Sequence, residues 1–167
     1  MVVSELGVGS GREGLRRAFE EHYARLFRLC LLLSGHRELA EDIVQDVFVR
    51  AAARLETLTP PETGPYLRKT AVNVWRNRLR RRALERRTPW RSVAPTAESP
   101  EAVVEERERL WPAVLRLPAR QRACVVLRYY EDLSEQETAR VLGCSVGTVK
   151  SQTSRALARL RERMHHG

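Results

Sequence analysis

Residues 133–160, LSEQETARVLGCSVGTVKSQTSRALARL, hold two helix starts and one helix stop at a spacing that leaves the chain little freedom. Ser134 followed three residues later by Glu137 is a capping box, so a helix is expected to begin there. Gly143 stands where a left-handed C-cap would end it, Cys144 bridges the turn, and Ser145 can cap a second helix. Along that second helix Val149, Thr153, Ala156, Leu157 and Leu160 recur on one face. The opposite face carries Lys150, Ser151, Gln152, Ser154, Arg155 and Arg159, with Ser145 and Thr148 at its start. An ordinary amphipathic hairpin would share the apolar stripe but not this coincidence of caps, intervening glycine and small polar side chains beside basic ones. The pattern predicts a helix-turn-helix. Its second helix fits a DNA major groove, where Lys, Arg and Gln reach base edges and Ser or Thr bond phosphates.

The charge agrees. A balance of 30 basic and 21 acidic residues gives a net +9 over 167 residues, which points to a polyanionic partner, nucleic acid before a membrane surface. The 43% hydrophobic content is enough for real cores, whereas the longest apolar run, near residues 29–33, is far too short to span a bilayer. Residues 1–17 carry glycine and charge where a signal peptide would need an apolar centre, so a cytoplasmic protein without membrane insertion is expected. Cys30, Cys124 and Cys144 are odd in number and widely spaced, and His22, His36, His165 and His166 form no ligand spacing with them. Buried free thiols, and neither metal nor cofactor, are the expectation.

Helical periodicity organises the rest into an all-α chain of two small domains. Leu15, Phe19, Tyr23, Leu26, Cys30 and Leu33 mark a first helix closed by Gly35, and Leu39, Ile43, Val47, Ala51 and Leu55 mark a second. Residues 57–64, TLTPPETG, read as a loop, after which Pro65 can open a third helix running to about Arg87. A tail over 1–14, a three-helix domain over 15–87 and a Pro-rich flexible tether over 88–102 follow from this pattern. Val103, Arg107, Leu110 and Val114 outline a further helix with Pro112 inside it. Pro118 opens another through Tyr130, and the helix-turn-helix completes a second domain over 103–163, with a tail over 164–167. No strand alternation and no internal repeat is present.

Most of the excess charge sits in residues 76–87, RNRLRRRALERR, where seven arginines face one glutamate. Such density meets phosphate or is solvated at a cost in self-repulsion. The second helix differs: Glu38, Glu41, Asp42, Gln45, Asp46 and Arg50 form a mixed, mainly acidic surface better suited to a basic protein than to DNA. Tyr66, Asn73, Trp75 and Asn77 lie among the basic residues of helix three, a mixture suited to stacking on unpaired bases and holding phosphates. Trp75 falls on the stripe of Leu67, Ala71 and Leu79, which assigns it to the core and leaves the 57–64 loop and Asn73 as better candidates for base contact.

These segments together resemble the small alternative sigma factors of bacterial RNA polymerase, of the extracytoplasmic-function (ECF) type, over about residues 19–163. AEDIVQDVFVRA, residues 40–51, is similar to the family's polymerase-docking helix, which implies polymerase contact for Asp42, Gln45, Asp46 and Phe48, with Arg50 beside them. YLRKTAVNVWRNRLRRR, residues 66–82, resembles the helix that binds and melts the minus-10 promoter element. That likeness implies roles there for Asn73, Arg76, Asn77, Arg80 and Arg81, and capture of a flipped base by the preceding loop with Thr63. Residues 117–162 look like the domain that reads the minus-35 element, with Lys150, Ser151, Ser154 and Arg155 at its DNA contacts. Thr138 and Thr70 stand where the family is usually apolar, and Ser154 is smaller than many family residues at its position.

The resemblance implies core RNA polymerase and promoter DNA as partners, with an anti-sigma factor as a further one. A free-standing helix-turn-helix transcriptional regulator is the alternative, but such proteins read two half-sites as dimers, and this chain offers two unlike basic surfaces. Catalysis is not expected: there is no carboxylate cluster at metal spacing, no nucleophile with a partnered base and no phosphate-cradling glycine loop.

Overall fold

The computed structural model describes residues 5–85 and 105–165. The chain divides into two compact units, Met1–Trp90 and Arg91–Gly167. Among the described residues every regular element is helical, as the periodicity requires. The tether expected over 88–102 lies outside the described residues.

The first unit packs three helices: α1 (Glu5–Ser34), α2 (Arg37–Leu55) and α3 (Pro60–Glu85). Its core is built from the stripes seen in the sequence. Leu26, Leu29, Cys30 and Leu33 of α1 meet Ile43, Val44, Val47 and Ala51 of α2 and Leu67, Ala71, Val72 and Trp75 of α3, all buried. Complete burial of each large aliphatic side chain stabilises the unit by about 1.5–3 kcal/mol. Burial also pushes the Cys30 thiol up to about 12.

Two helix starts in this unit depart from expectation. α1 begins at Glu5, well inside the tail assigned to 1–14. The glycines that hid it from sequence reading include Gly11, beside which the Glu56 side chain lies: a Cβ there would fall 2.0 Å from Glu56 Oε1, and that exposed carboxylate would have to swing aside. Arg16 pairs with Glu13 at 2.8 Å and Glu20 at 3.1 Å and supports the same turns. Likewise α3 starts at Pro60 and carries Pro65 within it, so most of the loop read over 57–64 is helix. Thr59 caps it. The Thr59 N–H and hydroxyl both donate to Glu62 Oε2, at 2.9 and 2.6 Å, and Pro60 occupies the first helical position, where no N–H is needed.

The second unit has three short helices, α4 (Glu105–Leu115), α5 (Ala119–Val125) and α6 (Glu135–Leu142), and one long one, α7 (Val146–His165). α5 continues into a wider π-type turn, Val126–Tyr130, in which the Glu131 N–H donates to the Val126 carbonyl at 3.0 Å. Ala123, Cys124, Val125, Val126 and Leu127 are buried in succession, so this segment is covered on more than one side. Leu110 of α4, expected among apolar positions, is exposed. α7 extends through His165, two residues beyond the boundary drawn at 163, because no breaker precedes Gly167.

The two threonines at usually apolar positions have different environments. Thr70 is half-buried with its hydroxyl donating to the Tyr66 carbonyl at 2.8 Å. Thr138 is fully enclosed and its Oγ1 has no hydrogen-bond partner.

Candidate nucleic-acid and partner interfaces

The turn that aims α7 is fixed at each step. Ser134 Oγ accepts from the Glu137 N–H at 3.2 Å, and Glu137 Oε2 accepts from the Ser134 N–H at 2.8 Å, completing the capping box. Gly143 ends α6 at φ 61°, a left-handed conformation that a side chain would strain, and its N–H returns to the Ala139 carbonyl. The Cys144 N–H reaches that same carbonyl at 3.1 Å, turning the chain back before α7. Ser145 Oγ then accepts from the Thr148 N–H at 3.1 Å and caps the second helix.

On α7, Val149, Ala156 and Leu160 are buried against the unit, which leaves Lys150, Ser151, Ser154, Arg155 and Arg159 exposed on the other side. Gln152 and Thr148 are half-buried. Ser145 and Thr148 also share a hydroxyl contact at 2.9 Å, and the Ser151 hydroxyl donates to the Thr148 carbonyl at 3.0 Å. These three are therefore engaged in holding the helix start as well as facing outward. Lys150 Nζ lies 3.6 Å from Glu135 of α6, a surface pair of small worth that a phosphate could displace.

α3 presents a second face. Asn73, Asn77, Arg80 and Arg81 are exposed and Arg76 half-exposed, and their spacing gathers all five into one stripe. Trp75 is buried, in agreement with its place on the apolar stripe. Thr63 does not belong to the exposed stripe. It lies in the first turn of α3, buried, with its hydroxyl donating to the Thr59 carbonyl at 3.1 Å, because the prolines before it begin a helix rather than a loop. The segment read as a loop around Thr63 is accordingly corrected to the first turn of α3.

On α2, Asp42, Gln45 and Arg50 are exposed and Asp46 half-exposed. Phe48, expected at the surface, is only 7% exposed, its ring 5.0 Å from that of Phe19. It packs beneath the exposed residues of α2 instead. Phe19, assigned to the buried stripe of α1, is 46% exposed instead. Phe19, Tyr23, Val44, Phe48 and the exposed Val49 line a groove of about 520 Å³ bordered by Glu41 and Gln45. The sequence reading also missed Arg78, which leaves the arginine-rich face to pair with α2: Nη2 is 2.7 Å from Asp46 Oδ2 and Nη1 3.4 Å from Asp42 Oδ2. The i, i+4 spacing of Asp42 and Asp46 was the one available signal for a bridging cation.

Among the described residues no group of His, Cys, Asp or Glu could hold a metal ion, and no helix is long and apolar enough to cross a membrane. The three thiols are free, with Cys30 and Cys124 buried and Cys144 half-buried.

Sigma-70 region 2 matches residues 18–85, and Sigma-70, region 4 matches residues 107–160. The chain is 36% identical over 157 residues to the RNA polymerase sigma-E factor of Streptomyces coelicolor, covering 86% of this chain and 85% of that protein. It is 35% identical over 154 residues to the ECF RNA polymerase sigma factor SigM of Mycobacterium tuberculosis, covering 92% and 78%. The chain belongs to the ECF sigma factors. Its fold is shared with the sigma factor RpoE of Bartonella quintana, solved in complex with the anti-sigma factor NepR, at a TM-score of 0.74 and 23% identity over 90% of this chain and 96% of that one. A sigma factor is a regulatory, promoter-recognising subunit of RNA polymerase, so core polymerase and promoter DNA are its partners. The match of both regions sets aside a free-standing helix-turn-helix regulator.

Proposed function

We propose that this sigma factor grips core polymerase with the acidic face of α2, Asp42, Gln45, Asp46 and Arg50 over a supporting Phe48, and divides promoter reading between α3 and α7. The exposed polar face of α7 enters the major groove at the minus-35 element, where Lys150, Gln152, Arg155 and Arg159 reach bases and Ser145, Thr148, Ser151 and Ser154 contact phosphates or small base edges. On α3, Arg76, Arg80 and Arg81 take the phosphates of the minus-10 element while Asn73 and Asn77 bond unstacked bases. Binding to polymerase and phosphates offsets the few kcal/mol of unstacking, and captured bases hold the opened strand. The observation that carries this reading is that one three-helix unit exposes both an acidic face on α2 and an asparagine–arginine stripe on α3.

The factor acts in the cytoplasm and performs no chemistry of its own, the polymerase supplying the catalysis. An anti-sigma factor is a further partner: proteins sharing this fold are seen with NepR and, for CnrH, with the cytosolic domain of CnrY. In vitro transcription with core polymerase on a genomic DNA pool, with start sites mapped, tests the whole. Start sites should share two sequence blocks at a fixed separation. Failure to associate with core enzyme, together with paired binding to palindromic operators, would refute it.

A further inference from the structure

We infer that Arg78 is the positioning residue that sets the polymerase-docking face of α2, an inference that rests on the docking role proposed above for Asp42 and Asp46. Arg78 lies on α3 between residues of the DNA-facing stripe, yet its guanidinium crosses to α2. There it forks over two carboxylates one helical turn apart, at 2.7 Å to Asp46 and 3.4 Å to Asp42. Two like charges at that spacing repel, and left alone they adopt rotamers that move them apart. The fork joins them through Oδ2 of each, and the side chains of Asp42 and Asp46 remain 62% and 42% exposed. A carboxylate accepts bonds at both oxygens, so Arg78 and a basic side chain of core polymerase can be held together rather than in competition. The Arg78 side chain itself is only 30% exposed, which leaves the acidic pair as the part of the cluster nearer to a partner. A lysine has no planar fork and cannot serve both carboxylates in the same way.

The test measures affinity of the full chain for core polymerase in Arg78→Ala, Arg78→Lys, Asp42→Asn/Asp46→Asn and the combined variant, each checked for unchanged far-UV circular dichroism. Arg78→Ala should weaken binding about tenfold, Arg78→Lys should recover only part of it, and Arg78→Ala should have little further effect once both carboxylates are neutralised. Unchanged or tighter binding by Arg78→Ala, while the double Asn variant binds poorly, overturns the positioning role and leaves the docking face standing. An equal loss from Arg78→Ala in the Asn background marks a merely structural contact and also overturns it. A double Asn variant that binds like the parent removes the docking reading and this inference together.

Discussion

The two units hold their helices by different means. In the first, helices of 30, 19 and 26 residues bury long apolar stripes, and α2 follows His36, an N-cap that makes no side-chain capping bond. In the second, α6 has eight residues between a full capping box and a left-handed glycine. Four N–H groups at one end and four carbonyls at the other have no partner within any helix, so terminal satisfaction matters in inverse proportion to length. Long helices can rely on packing; short ones depend on their ends. The two proposed nucleic-acid faces differ in parallel. The α3 stripe joins three arginines, suited to phosphate grip, to two asparagines for unstacked bases, whereas α7 sets short hydroxyls beside a few long polar groups on a helix whose start is pinned, which suits reading base edges in a duplex.

The strongest way to break this comparison is to remove equal volume from both cores. Leu33 and Leu127 are each fully buried. Truncation to Ala should cost about 2–5 kcal/mol in either place. Taken from the shorter-helix unit, that loss should be the more damaging: Leu127→Ala should lower the melting of the second unit more than Leu33→Ala lowers that of the first, as read by calorimetry. The reverse order would show that helix length is no guide to the reserve of stability here.

The second contrast concerns the DNA faces. Arg155→Ala should cost about 1–3 kcal/mol at the upstream element and little on scrambled upstream DNA if Arg155 reads a base. Arg80→Ala with Arg81→Ala should weaken promoter complexes across sequences and reduce the salt slope by roughly 1.4–1.8, at 0.7–0.9 per phosphate contact. Binding titrations from low to moderate salt separate the two. Sequence-independent loss for Arg155, or an unaltered slope for the arginine pair, would erase the distinction drawn between grip and readout.

The features legible in the sequence were those with local, periodic or capping logic. The stripes of α1 and α2, the inward Trp75, and the Ser134, Gly143 and Ser145 punctuation are each written in residues a few positions apart. What was misread depends on contacts distant in sequence or on two meanings of one residue. The glycines before residue 15 suggest a tail, yet α1 begins at Glu5. Pro60 and Pro61 suggest a loop, although a Thr59-x-x-Glu62 capping signal surrounded them and proline is welcome in a first turn. Thr63 lies in that same first turn, buried. Arg78 looked like one more cation in an arginine run, and only the packing of α3 on α2 distinguishes it from Arg80 and Arg81.

Smaller effects test the caps. Ser134→Ala removes the acceptor for the Glu137 N–H and should destabilise the second unit by about 1 kcal/mol, seen as faster amide exchange through α6. An effect confined to the first turn, with α6 otherwise protected, would mean that packing carries this short helix after all.

The least costly cap should be that of α3, and it offers a pH signature. The Thr59 hydroxyl, and then its backbone N–H, hold the Glu62 carboxyl below its ordinary 4.5, although the group is fully exposed. A depressed folded pKa means that the cap contributes above the unfolded value of about 4.5 and fades as pH falls through the lower, folded one. Acidification below 4.5 should therefore fray the first turn of α3, raising amide exchange at Glu62 and Thr63 while the buried stripe from Leu67 onward stays protected. Glu62→Gln keeps an acceptor but has no proton to gain, so its first turn should respond far less over the same range. Equal fraying in the Gln variant would place the acid sensitivity elsewhere in the unit, and the pairing of Thr59 with Glu62 would then be geometry without energetic consequence.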